Sequence, residues 1–311
     1  MRAAAIDVGS NTLRMLIGDI YGHGITRVSF QRTITRLAQG MTSSGMLSEK
    51  NMGESLLVLK GFSQSLAHHG ITSVRAVGTS ALREARNGQD FTDKVFRETG
   101  IRIETISGIR EAELTLRGVT LGMEPAGSSL IIDIGGGSTE WILSQDGAPQ
   151  STLYGSLPLG VVTLCDRFIS GDPPSSKEIA ALSAEINAHL HPLRQQFVEH
   201  AVPLARVVGT GGSITTLASM DLSLDAYHHE KIHMHPIPLP RLYVLEEKLL
   251  SLPLGARQGI TGLEPTRADL IIPGILLTIR WMELFEAGEI VVSDFGLLEG
   301  LLREACDENR L

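Results

Sequence analysis

Apolar residues enter this chain in short runs broken by glycine and small polar residues. Residues 3 to 6 are apolar and end at Asp7; VGSNT follows, then LRMLIGDI, a YGHG turn and ITRVSFQRTI. Runs of this length between turn-forming breaks predict strand, turn, strand, turn, strand, an antiparallel meander. The period changes over residues 49 to 69 (EKNMGESLLVLKGFSQSLAHH), where apolar positions recur at helical spacing. TSVRAVGTSAL predicts a strand leaving through a loop, Asp90 to Thr99 a helix, IRIETIS a strand, and SGIREAELTLRGVTLGM a loop running into a helix. LIIPGILLTIRWM, from Leu270, holds a proline and falls short of the ~20 residues a membrane span needs, so it reads as a core helix. The last segment, FGLLEGLLREACDENR, is an amphipathic helix with leucines on one face.

One pattern occurs twice. AAIDVG-SNTLRML and LIIDIGGGSTEWIL both give apolar strand, Asp, aliphatic residue, Gly, small residues, Thr and a second apolar strand. Repeats this far apart predict duplicated domains and not a solenoid, whose period is ~20 to 50 residues. A third glycine loop closes a strand and starts a helix within ARVVGTGGSITTLASM. GMEPAGSS is the best boundary, which gives α/β domains over 1–124 and 125–311, with a terminal helix from about 296 to 311 able to cross back onto the first.

Composition narrows the function. The 311 residues suit about two domains, and 42% hydrophobic with 20% charged residues suits a globular core. A net charge of -8 argues against a protein that coats nucleic acid, yet allows a polyanion in a local cleft. Cys165 and Cys306 lack any metal-ligand spacing and read as reduced thiols of a cytoplasmic protein. The N-terminal apolar run is too short for a signal peptide.

The glycine loops carry the candidate chemistry. Gly135, Gly136 and Gly137 tolerate positive φ, admit a ligand to the backbone and leave N–H donors, which suits phosphate oxygens. The hydroxyls of Ser138 and Thr139 add donors. Asp133 and Glu140 would repel phosphate directly, so they fit a hard cation such as Mg²⁺ that bridges to it. A plain hairpin with a structural Asp is the bland alternative, weakened by the echo at Asp7, Gly9, Ser10, Asn11 and Thr12. Neither loop has the spacing of a P-loop or of a dinucleotide fingerprint. Gly211, Gly212 and Ser213 either present amides to an anion or form a simple strand-to-helix turn. Arg83, one turn after Thr79 and Ser80, either meets phosphate or is a surface charge. Glu111 either closes a helix-start cap from Gly108 or serves as general base, with Glu113 one position off its face. His228, His229, His233 and His235 allow a zinc site on paper; with Pro236 ending any helix, a polar surface helix is the simpler reading.

Seven segments in this order, AAIDVGSNTLRMLI, GTSALREA, ISGIREAEL, IIDIGGGSTEWIL, VVGTGGSITTLA, GLEPTRADLIIPG and VSDFGLLEGLL, resemble the exopolyphosphatase / guanosine pentaphosphate phosphohydrolase family over essentially the whole chain. The resemblance implies the two-domain α/β fold of the actin, sugar kinase and Hsp70 ATPase superfamily, with mixed sheets and an interdomain active-site cleft. It implies Mg²⁺-dependent release of terminal phosphate from polyphosphate or from guanosine pentaphosphate, with a monovalent cation such as K⁺ as a further candidate ion and a homodimer as in relatives. By motif matching, Glu111 is its catalytic glutamate, Gly9 to Thr12 and Gly135 to Thr139 its phosphate loops, Arg83 its phosphate-facing arginine, and Asp133 and Glu140, with Asp7, its metal-associated acids. The chain departs from longer members by stopping before their C-terminal helical domain, and by Leu298 where the family often has Arg. A sugar kinase, a chaperone-type ATPase and a silent polyphosphate or alarmone sensor are the rival readings.

Overall fold

The computed structural model describes residues 2–21, 24–124, 127–145, 152–199 and 204–307. Contacts divide the chain into two compact units, residues 1–123 with 295–311, and residues 124–294.

The first unit opens with strands β1 (Arg2–Val8), β2 (Thr12–Tyr21) and β3 (Gly24–Ile34), followed by helices α1 (Met41–Ser44) and α2 (Glu49–His68). Strand β4 (Val74–Gly78), helices α3 (Ser80–Glu84) and α4 (Gly88–Thr99), strand β5 (Ile103–Thr105) and helix α5 (Gly108–Leu121) complete this run. The sheet order is β3-β2-β1-β4-β5, with the first three strands antiparallel and β1, β4 and β5 parallel. The expected meander is therefore present, and the parallel half is reached through helical crossovers as parallel pairing requires. GTSALREA is not simply a loop, because Ser80 to Glu84 make a helix too short to leave a period in the sequence.

The second unit holds strands β6 (Ser128–Ile134), β7 (Thr139–Gln145) and β8 (Leu153–Leu157), then helices α6 (Val161–Phe168) and α7 (Ser176–Glu199). Strand β9 (Arg206–Thr210), helices α8 (Gly212–Asp221) and α9 (His229–Ile232), strand β10 (Pro236–Pro238), helices α10 (Leu239–Ser251), α11 (Leu254–Arg257) and α12 (Ile271–Leu284), and strand β11 (Glu289–Val292) follow. Its order is β10-β11-β9-β6-β7-β8. Without the edge strand β10, this repeats the first sheet: an antiparallel trio beside a parallel pair.

The closing helix α13 (Leu297–Asp307) belongs to the first unit, where it packs on α5, β1 and β2. Alternation along β1 explains how both faces of this sheet are filled. Ala4, Ile6 and Val8 join Leu59 and Phe62 of α2 in one core. Ala3 and Ala5 join Leu297, Leu301 and Leu302 of α13 in another. Helices α5 and α13 touch backbone to backbone: a Cβ on Gly300 would lie 1.8 Å from the Leu114 carbonyl oxygen, and one on Gly118 1.8 Å from that of Gly296. In the second unit, α12 is buried along most of its length, as its apolar sequence requires. Among the described residues no helix is long and apolar enough to cross a membrane.

Candidate functional site

Each unit carries an Asp-tipped hairpin, and the two are built alike. In the first, the Gly9 N–H donates to the Thr12 carbonyl at 3.2 Å; in the second, the Gly135 N–H donates to the Ser138 carbonyl at 3.0 Å. These glycine amides close the turns and so are not the donors for a ligand. The Ser10 and Asn11 N–H groups, and those of Gly136, Gly137 and Ser138, donate to no acceptor among the described residues. The loops are held instead through their carbonyls. Asn11 O accepts from Thr35 N and Arg36 N, Ser10 O from Ala38 N, and Gly136 O from Val162 N at 2.8 Å. Fixing a loop by its acceptors turns its donors toward whatever it binds, an arrangement suited to an anion.

The expected use of positive φ at Gly135, Gly136 and Gly137 is not observed. Close approach demands glycine here: a Cβ on Gly160, ahead of α6, would lie 2.2 Å from Gly136 O and Gly137 C, so two bare backbones pass each other. Thr139 also departs from expectation. It is fully buried and its hydroxyl donates to the Leu159 carbonyl, so it fastens the loop and does not offer a donor to phosphate.

The acids of the two hairpins have different partners. Asp7 sits opposite Arg14 in the β1–β2 register, and Arg14 Nε and Nη2 both donate to its Oδ2, at 2.9 and 2.7 Å. Its Oδ1 is buried and accepts no hydrogen bond. Asp133 sits opposite Glu140, acid against acid, and both are buried. Ser156 on β8 donates to Glu140 Oε1 at 2.7 Å. Like charges facing each other across a ladder are unfavourable. Two hard carboxylates side by side fit Mg²⁺, which uses one or two protein carboxylates and takes its other oxygens from water and phosphate. No group of three or more His, Cys, Asp or Glu suited to a metal occurs among the described residues.

The third glycine loop meets this acid pair. Gly211 has φ 93°, and a Cβ there would lie 2.6 Å from Asp133 Oδ1, so only glycine fits. Gly212 opens α8 under the guanidinium of Arg267, whose Nη1 would stand 2.3 Å from a Gly212 Cβ. Arg267 Nε also donates to Glu264 at 3.2 Å. Arg267 belongs to the quoted GLEPTRADL segment, but sequence reasoning gave it no role. The Ser213 side chain packs on Gly274 of α12, so α8 presents its first amides and not this hydroxyl.

Glu111 is buried in the first turn of α5. The cap drawn from Gly108 is not the one formed. Ser107 is the N-cap and accepts from Arg110 N at 3.2 Å, which puts Arg110, not Glu111, at the third helical position of a capping box. With no cap to serve, Glu111 takes Arg83 as partner: Nη1 lies 3.3 Å from Oε2 and donates to the Ile106 carbonyl at 3.0 Å. Glu113 pairs with Arg110. Three of the four clustered histidines make hydrogen-bond contacts: His229 with Asp294, His235 with Asp221, and His233 accepting from Asp294 N–H.

Two hairpin loops with open amides, on like-ordered mixed sheets, define a two-unit α/β protein whose loops suit phosphate. The sequence matches the Ppx/GppA phosphatase family over residues 16–309, and the chain belongs to that family. It is 31% identical over 317 residues to exopolyphosphatase 2 of Mycobacterium tuberculosis, covering 96% of this chain and 97% of the relative. A crystal structure of an exopolyphosphatase from Cytophaga hutchinsonii superposes with TM-score 0.90 at 31% identity, covering 99% of this chain and 98% of that one. The Ppx/GppA family member of Aquifex aeolicus superposes with TM-score 0.83 at 30% identity, with 99% of both chains covered.

Proposed function

We propose that the protein is an exopolyphosphatase that hydrolyses the terminal phosphate from inorganic polyphosphate, with Glu111 as general base. The observation that carries this reading is the open amides of each unit's hairpin loop, Ser10 and Asn11 in the first and Gly136, Gly137 and Ser138 in the second, each loop suited to phosphate oxygens. The names borne by the Mycobacterium and Cytophaga relatives agree with it.

Glu111 accepts a proton from water as the water oxygen attacks the terminal phosphorus. The bridging P–O bond breaks, and the chain leaves one phosphate shorter. Arg83 fixes the Glu111 carboxylate and offers its remaining N–H groups to phosphate oxygens. Asp133 and Glu140 would hold Mg²⁺, which when bound screens charge between neighbouring phosphates. Positioning and electrostatics dominate such a transfer, whose transition state is loose.

Phosphate release should be measured with Mg²⁺ on long polyphosphate, tripolyphosphate and guanosine pentaphosphate in parallel, with and without chelator. Fastest turnover of long polyphosphate, lost on chelation, is expected. Preference for guanosine pentaphosphate would move the assignment to nucleotide 5′-phosphohydrolase; binding without release would make the protein a sensor.

A further inference from the structure

An acid at the base of a phosphate loop poses an electrostatic problem, and in the first unit one residue answers it. The Asp7 side chain is buried, 4% exposed. Its carboxylate takes no hydrogen bond from the loop's own amides. Oδ1 has no partner, and Oδ2 is bonded by Arg14 alone, through both Nε and Nη2. The corresponding hairpin of the second unit has Glu140 where the first has Arg14, so the residue facing the Asp carries opposite charge in the two. The two share the Asp, the first glycine and the hydrogen bond that closes each turn.

We propose that Arg14 is a positioning residue for the polyanion. By neutralising Asp7 from the strand side it lets the Ser10 and Asn11 amides receive phosphate beside a carboxylate, and it leaves Oδ1 as an acceptor for water or cation. The inference rests on the exopolyphosphatase reading for its ligand. Its origin is the asymmetry of the pair: both guanidinium donors on one oxygen, none on the other. A plain ion pair holding two strands together would stabilise the hairpin without affecting what the loop binds. A charge-compensating pair must also set the loop's affinity for anions, and that effect must depend on Asp7 being charged. Like charges in contact repel far more strongly at protein-like dielectric than in water, so an uncompensated Asp7 would weaken phosphate binding measurably.

The test uses the full chain with Arg14→Gln, Arg14→Lys, Asp7→Asn and the double variant Arg14→Gln/Asp7→Asn. KM and kcat are measured with polyphosphate at low and high salt, tripolyphosphate binding is followed by calorimetry, and each Tm is recorded. Arg14→Gln should raise KM and weaken tripolyphosphate binding about tenfold at low salt, with a smaller change at high salt because the repulsion is screened. Arg14→Lys, which keeps the charge, should recover most of the affinity. Asp7→Asn should restore binding in the Arg14→Gln background, whatever it costs in kcat. An Arg14→Gln protein with wild-type KM, binding and salt dependence, changed only in Tm, overturns the proposal. So does a double variant that binds no better than Arg14→Gln alone. If the wild type binds tripolyphosphate in an Arg14-dependent way but releases no phosphate, the exopolyphosphatase reading fails and this inference stands. Release with KM indifferent to Arg14 gives the reverse.

Discussion

Replacing Gly300 by alanine puts a single methyl group where the backbones of α5 and α13 touch. Its Cβ would stand 1.8 Å from Leu114 O, against the 3.0 Å below which Cβ atoms are essentially never found. The helices must therefore separate by at least the difference, 3.0 − 1.8 = 1.2 Å. No rotamer change relieves the clash, because the nearest atoms, Leu114 O and C and Gly118 N, are all backbone. Overpacking of this kind costs about 1–3 kcal/mol or more. Alanine's higher helix propensity returns up to ~1 kcal/mol, so the net change remains destabilising. Gly61, inside α2, supplies the control: a Cβ there meets nothing within 4 Å, and Gly61→Ala should be neutral or stabilising. The assay is urea unfolding followed by circular dichroism, with both variants beside the wild type. Leu114 lies one turn beyond Glu111 on α5, so Gly300→Ala should also lower kcat by displacing the base; misplacement of ~1 Å can cost on the order of 100-fold. A Gly300→Ala protein as stable as Gly61→Ala would refute the packing argument.

The remaining predictions concern three other positions. Gly160→Ala would drive a methyl into Gly136 O and Gly137 C, so turnover of polyphosphate should fall roughly 10-fold or more, checked by steady-state kinetics. Glu178 accepts from the Ser170, Gly171 and Ser175 amides and from two hydroxyls, and these hold its carboxyl far below the usual 4.5. Its contribution is fully present above that ordinary value and is lost as pH falls toward the lowered one. Protection of the amides at residues 170, 171 and 175, relative to their intrinsic exchange rate at each pH, should therefore fall progressively in acid in the wild type, and already be low at neutral pH in Glu178→Ala. Glu299 is buried and accepts from Arg27 Nη2 at 2.8 Å and from Gly296 N–H at 2.9 Å. Glu299→Leu removes the acceptor from both donors and should cost ~2–4 kcal/mol by denaturant titration.

Much of this architecture is legible in the sequence, and the limits follow from residue spacing. Asp7 and Asp133 end short continuous apolar runs bounded by glycine turns, so both hairpins and their echo can be read directly. The α3 helix leaves no period, since five residues hold barely one turn; its one mark in the sequence is the cap-type pair Thr79 and Ser80, and contacts such as Ser80 Oγ donating to Glu84 stabilise it. Arg14 is hidden inside LRMLIGDI, where it passes for an outward-facing polar residue. Counting out equally from the middle of the GSNT turn sets it opposite Asp7, so a register argument could have found it. Arg267 is different. It comes from a turn more than fifty residues beyond Gly212, and only the folded chain brings it over that glycine. The donor assignment was shifted for a related reason. Sequence marks the glycines, but hydrogen bonding shows that Gly9 and Gly135 spend their N–H groups closing turns, and the open amides lie one or more residues later.

The most direct test of the account is single-turnover phosphate release from polyphosphate by the wild type and Glu111→Gln, with polyphosphate binding measured on the same samples. The account predicts that the variant binds within a few-fold of wild type and releases phosphate about 10²- to 10⁴-fold more slowly, the range for loss of a general base. A variant that binds normally and releases phosphate at the wild-type rate would contradict it and take Glu111 out of the chemistry.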